Sequence, residues 1–181
     1  MSTSRRVVAI AVAALAACAS LQPAPSKPPA FGAAVSAEEI ARFDISIPPS
    51  GAGLPKGGGS AKQGAAVYAA KCLACHGDKG AGKPADALAG GIGSLATSRP
   101  VRTVGSYWPY ATTLFDYVRR AMPITNPLSL TDDEVYAVSA YVLFLNGIVG
   151  EDAVMNAQTL PQVKMPNRDG FVSDWPPRSR N

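Results

Sequence analysis

Between positions 131 and 146 the apolar residues recur at helical spacing. Val135, Val138, Val142 and Leu145 form one stripe, and Ala137, Tyr141 and Phe144 form the next. A helix that is apolar around most of its circumference is a buried one. Thr131-Asp132-Asp133-Glu134 reads as a capping box with acids in the first turn, and Asn146-Gly147 as a stop, so the helix is expected over 132–145. It is too short to cross a bilayer. A second helix is expected over 111–121, with Leu114, Phe115, Val118 and Ala121 on its apolar side. A third, over 61–71, is rich in alanine, and Gly64 and Tyr68 lie on one face of it. A glycine on that face lets another helix cross closely. Tyr68 and Tyr141 are expected to pack where the 61–71 and 132–145 helices meet. The pattern therefore predicts an all-α domain with three main helices over residues 60–147.

The flanks read differently. Residues 22–29 are proline-rich and predict an extended tether. Ser36-Ala37-Glu38-Glu39 predicts the capped start of a short helix. Phe43, Ile45 and Ile47 alternate as in a strand, but Pro48 and Pro49 end the run at once. Residues 51–60 read as a glycine- and proline-rich turn region. With 18–59 as linker and N-terminal arm, and 148–181 as a C-terminal extension, both flanks are expected to be irregular. No internal repeat is visible.

The first residues change the picture of where the chain works. Arg5 and Arg6 precede an apolar run over 7–14, the length of a signal-peptide core and too short for a membrane span. Leu15-Ala16-Ala17-Cys18 then reads as a lipobox, and Ala17-Cys18-Ala19 also fits an ordinary cleavage site. Residues 1–17 are thus expected to be removed on export to the periplasm, with membrane anchoring through a lipidated Cys18 as the favoured form. Their removal lowers Lys+Arg from 17 to 15 against 13 Asp+Glu, and the net charge from +4 to +2. So small an excess is no argument for a nucleic-acid partner.

Candidate chemistry is concentrated in Cys72-Leu73-Ala74-Cys75-His76. C-x-x-C-H is the attachment signature of a c-type haem. The two thiols would add across the haem vinyl groups, and the histidine would supply the proximal imidazole. His76 is the sole histidine of the chain, and no second C-x-x-C-H occurs, so one covalent haem is expected. Three other readings use some of these residues. A thioredoxin-like dithiol belongs at a strand-to-helix junction of a βαβ unit, which the pattern does not supply. A zinc site needs four ligands, and only Cys18 remains. A structural disulfide suits an oxidising compartment.

The iron needs a sixth ligand or an open position, and with no second histidine the candidates from this chain are methionines. Met122 lies in Arg119-Arg120-Ala121-Met122-Pro123, 46 residues after His76 and ahead of the last helix. Met165 also precedes a proline but lies beyond that helix, and Met155 reads as a packing residue in a stretch of possible helix. Gly77, Gly80, Gly82, Gly90, Gly91 and Gly93 suit a tightly turning loop around the haem edge. In that loop Pro84 is a candidate to offer its carbonyl to His76 Nδ1. Tyr107, Trp108 and Tyr110 suit either a haem wall donating to propionates or ordinary core packing. Arg99 and Arg102 are candidate propionate partners.

The glycine–aromatic pair on the first helix, the aromatic on the last, C-x-x-C-H and the Met-Pro loop resemble class I cytochromes c. That resemblance implies one haem among three main helices, with His76 and Met122 as axial ligands. A narrower resemblance rests on Gly53-Leu54-Pro55, on 103–110, on 119–123, on 129–136 and on 165–171. These segments are similar to the haem subunit of bacterial sulfite dehydrogenases and to one haem domain of the sulfane dehydrogenase of thiosulfate-oxidising systems. It implies a molybdenum-cofactor dehydrogenase subunit as electron donor and a downstream cytochrome or oxidase as acceptor. The sulfane dehydrogenase subunit carries two haem domains where this chain has one. A free-standing electron shuttle and a haem-based ligand sensor are the other functions the residues allow.

Overall fold

The computed structural model describes residues 31–172 and Trp175. Arg5, Arg6, the apolar run, Cys18 and the proline-rich tether lie outside the described residues. Helix α1 (Ala37–Phe43) follows Ser36, whose Oγ accepts from the Glu39 N–H at 3.1 Å, and it buries none of its residues. A boundary at Ala41 and Arg42 separates a short N-terminal unit from the one that holds the rest.

In that larger unit come strand β1 (Gly58–Ser60), helix α2 (Ala61–Lys71), the one-turn helix α3 (Leu73–His76) and the short helix α4 (Val104–Tyr107). Helices α5 (Ala111–Ala121) and α6 (Asp132–Leu145), strand β2 (Val154–Asn156) and two 3₁₀ turns (Asp78–Gly80 and Leu160–Gln162) complete it. The three main helices begin and end where the pattern places them. Their caps give the reason. Ser60 and Gln63 form a reciprocal capping box ahead of α2, and Thr131 and Glu134 form one ahead of α6. Gly147 takes φ +67° after α6, a conformation that glycine adopts without strain.

Helix α6 is the centre of the unit and touches α2, β1, α4, α5 and β2. Its crossing with α2 depends on Gly64. A Cβ built there would stand 1.9 Å from the Ala137 carbonyl oxygen and 2.8 Å from the Tyr141 Cβ. At the crossing the Tyr68 and Tyr141 rings lie 5.3 Å apart, tilted by 54°. On the α5 side, fully buried Phe115 and Tyr136 bring their rings to 4.4 Å, and the Tyr136 hydroxyl donates to the Pro55 carbonyl at 2.9 Å. Burial first, then the charge of Asp132, pushes the Tyr136 phenol up to about 12.

The flanks are more ordered than expected. β1 and β2 pair antiparallel, with Gly58 opposite Asn156, Gly59 opposite Met155 and Ser60 opposite Val154. Gly58-Gly59-Ser60 carries no strand propensity. It is extended because glycine alone fits: a Cβ on Gly59 would lie 2.5 Å from that of Ala137 on α6. Met155 is therefore a core residue, as read, but on a strand rather than a helix. The extension also sends Leu160 and Met165 into the core and caps α2. The Ala61 and Lys62 N–H groups donate to the carbonyls of Ala153 and Glu151 at 3.1 and 3.2 Å.

Residues 43–47 form no strand. Phe43 ends α1, and the Ile47 N–H donates to Asp116 Oδ1 on α5 at 2.8 Å instead of to a ladder partner. Arg120 Nε donates to the same oxygen at 3.0 Å, and its Nη2 pairs with Oδ2. Burial alone would raise the Asp116 carboxyl. The Arg120 and Ile47 hydrogen bonds, with the charges of Arg120 and Arg119, outweigh it and hold the group below its ordinary value.

Candidate haem site

Cys72 ends α2 and opens α3, so the Cys72–His76 motif is one helical turn set directly on the end of a longer helix. The His76 N–H donates to the Cys72 carbonyl at 2.9 Å, which closes the turn. Both thiols are free, Cys75 exposed and Cys72 half-buried. Burial first, then the neighbouring Cys75, pushes the Cys72 thiol up to about 11. Cys72, Cys75 and His76 do not converge on one point as ligands of a single ion. Among the described residues no three His, Cys, Asp or Glu side chains do.

His76 Nδ1 lies 2.9 Å from the carbonyl oxygen of Asp86. A carbonyl only accepts, so Nδ1 is the donor here and Nε2 is the nitrogen left to face a metal. The partner is Asp86 and not Pro84, which is a correction to the sequence reading. The Lys83 N–H donates to the Ala85 carbonyl at 2.6 Å, and the Ala85 N–H to the Cys75 carbonyl at 2.9 Å. This double tie leaves Pro84 at the exposed tip of the turn and brings the next carbonyl but one over the ring.

The loop after His76 turns as its glycines suggest, since all six named above have positive φ. At Gly77 the requirement is steric as well, because a Cβ would meet the Gly82 carbonyl oxygen at 2.4 Å. Tyr68 ties the loop to α2, its hydroxyl donating to the Gly77 carbonyl at 2.8 Å. Asn146, read from sequence only as a helix stop, holds the far side. Its Oδ1 accepts from the Gly90 N–H at 3.1 Å, and its Nδ2 donates to the Leu88 carbonyl at 3.0 Å. Periodicity carries no sign of such a role, because it is made entirely by distant backbone groups.

Met122 caps α5 and is half-buried, its N–H donating to the Val118 carbonyl at 3.0 Å. Met165, in contrast, is 3% exposed within the core cluster. Tyr107 is placed between the Arg102 guanidinium, 5.4 Å from its centroid, and the Phe171 ring at 5.2 Å. Trp108 meets Tyr117 edge-on at 5.7 Å, and Arg168 lies 4.4 Å from the Tyr110 ring. The half-buried aromatic segment is thus flanked by Arg102, Tyr117 and the C-terminal extension.

The donor set fits a c-type haem. Two free thiols one turn apart stand beside an imidazole whose far nitrogen is already engaged. Leu73 within the motif, Ile92 and Val101 in the stretch that follows it, and Ile124 and Leu128 after Met122 are exposed apolar side chains that suit a large apolar disc. No helix among the described residues is long and apolar enough to cross a membrane.

Fold and site together define the class, a cytochrome of the c type with a c-type haem and an electron-transfer role. The family model described as cytochrome c oxidase, cbb3-type, subunit III, matches residues 59–142. Among solved structures, a chain of the sulfane dehydrogenase SoxCD from Paracoccus pantotrophus is 43% identical, with a TM-score of 0.75. The match covers 80% of this chain and 71% of that one. Among curated proteins none matches. The chain belongs to the c-type cytochrome family that includes this SoxCD chain.

Proposed function

We propose that the chain is a one-haem electron acceptor for a periplasmic molybdenum-cofactor dehydrogenase that oxidises sulfite or a related sulfur compound. It hands the electrons on to a downstream cytochrome or oxidase of the respiratory chain. The observation that carries this reading is the 43% identity to a sulfane dehydrogenase chain over 80% of the present one. Cys72 and Cys75 would hold the haem through thioether bonds, and His76 and Met122 would ligate its iron. When bound, the haem supplies reversible one-electron chemistry at iron. The Asp86 carbonyl fixes the His76 tautomer and makes the ring a stronger donor. With His76 and Met122 both taken up by iron, no site would be left for a substrate, which suits outer-sphere transfer. The C-terminal extension serves the core through Met155, Leu160 and Met165, so the support for a dedicated partner comes from the family likeness and not from that flank.

The test begins with protein matured in a host that attaches haem c. Its mass should exceed that of the processed chain by one haem, and the pigment should resist acid–acetone extraction. Stopped-flow mixing with a reduced molybdenum sulfur-compound dehydrogenase should then reduce the haem rapidly, and higher salt should slow the step. Uniformly slow, salt-insensitive reduction by every such donor would favour a free shuttle. Oxidation of sulfite by the cytochrome alone would overturn the carrier reading.

A further inference from the structure

Residues 122–131 join α5 to α6 and bear Met122 at their start. Ile124 and Leu128 at its tip are 72% and 62% exposed, while Leu130 near its end packs against the core. Its neck is bridged by side chains. Arg119 Nε on α5 lies 3.1 Å from Asp132 Oδ1, the first residue of α6. The same guanidinium reaches the Ile45 carbonyl through Nη1 at 3.5 Å. The next residue, Arg120, pairs with Asp116 inside its own helix and does not span the loop.

We propose that Arg119 and Asp132 form a clasp that closes the 122–131 loop and keeps the Met122 sulfur at the haem iron. The inference rests on the axial ligation proposed above. Opening of its loop would carry the sulfur away from the iron. Whatever holds the neck shut therefore adds to the apparent strength of the ligand. Arg119 and Asp132 are positioning residues and need not touch the haem. Their side chains are 22% and 38% exposed, so the pair is a partly screened one. An ion pair of this kind shifts an equilibrium about two- to fivefold.

The experiment is titration of the ferric holoprotein with imidazole, which competes with the sulfur for iron. Arg119→Gln and Asp132→Asn should each raise the apparent imidazole affinity about threefold, and the double variant no further. Arg120→Gln, which breaks the neighbouring pair without opening the neck, should leave that affinity unchanged. Singles indistinguishable from the parent, or an equal rise in Arg120→Gln, would overturn the clasp. If Arg119→Gln fails to fold, Asp132→Asn carries the test alone. Met122→Ala separates the two readings. Persistence of the methionine charge-transfer band in that variant overturns the ligation and the clasp together. Loss of the band with silent clasp variants overturns the clasp only.

Discussion

Gly64 on α2 lies so close to Ala137 on α6 that a methyl group on Gly64 would stand 1.9 Å from the Ala137 carbonyl oxygen. The obstacle is backbone in the middle of a buried helix, which cannot move aside as a flexible side chain would. Gly64→Ala should therefore lower stability by about 1–3 kcal/mol or more through overpacking. That loss outweighs the gain of about 1 kcal/mol in helix propensity. Gly150 has nothing within 4 Å of its built Cβ, and Gly150→Ala should stay within about 0.5 kcal/mol of the parent. Thermal melts of the two variants check the contrast.

Asp116 gives stability a definite pH dependence. Its carboxyl is held below the ordinary value of 3.8, so the folded state favours the ionised form. The contribution is full above the unfolded pKa and disappears as pH falls through the lower, folded one. Asp116→Asn should cost about 2 kcal/mol at pH 7 and much less at acid pH, where the parent has lost the same contribution. Urea midpoints of both proteins at pH 7 and in strong acid should converge. A constant gap between them would mean that the carboxylate charge is not what holds Ile47 and Arg120.

Two methionines separate ligation from packing. Met122→Ala should abolish the weak charge-transfer band of ferric haem and lower its potential while leaving the fold intact. Met165→Ala should leave the band in place but cost about 2–5 kcal/mol, because Met165 is buried in the core. Visible spectra and denaturant melts of the same samples read both quantities.

The motif thiols should differ before the haem is attached. Cys75 is exposed, while Cys72 is half-buried with its pKa pushed up to about 11. In the haem-free chain at pH 8, iodoacetamide should alkylate Cys75 at least about tenfold faster than Cys72. The Cys72 rate should climb as pH rises toward 11, where its thiolate becomes abundant. Peptide mass mapping over a time course at two pH values measures this.

The sequence alone determined the three main helices, the crossing at Gly64 and the thiol–imidazole motif. Each is written in local signals: apolar period, capping boxes, a glycine four residues before a tyrosine, and C-x-x-C-H. Only the tertiary structure decided the rest. Gly58-Gly59-Ser60 became a strand because Ala137 leaves no room for a side chain and Val154-Met155-Asn156 supplies the ladder. His76 turned to Asp86 and not to Pro84 because the Ala85 N–H is tied back to the Cys75 carbonyl. Asn146 became the post that holds the haem loop, and Asp116 the anchor of the N-terminal arm, through backbone groups 56 to 69 residues away. Hydrogen bonds of that reach have no period and no motif, since they depend on which backbone groups the fold leaves unpaired beside a polar side chain.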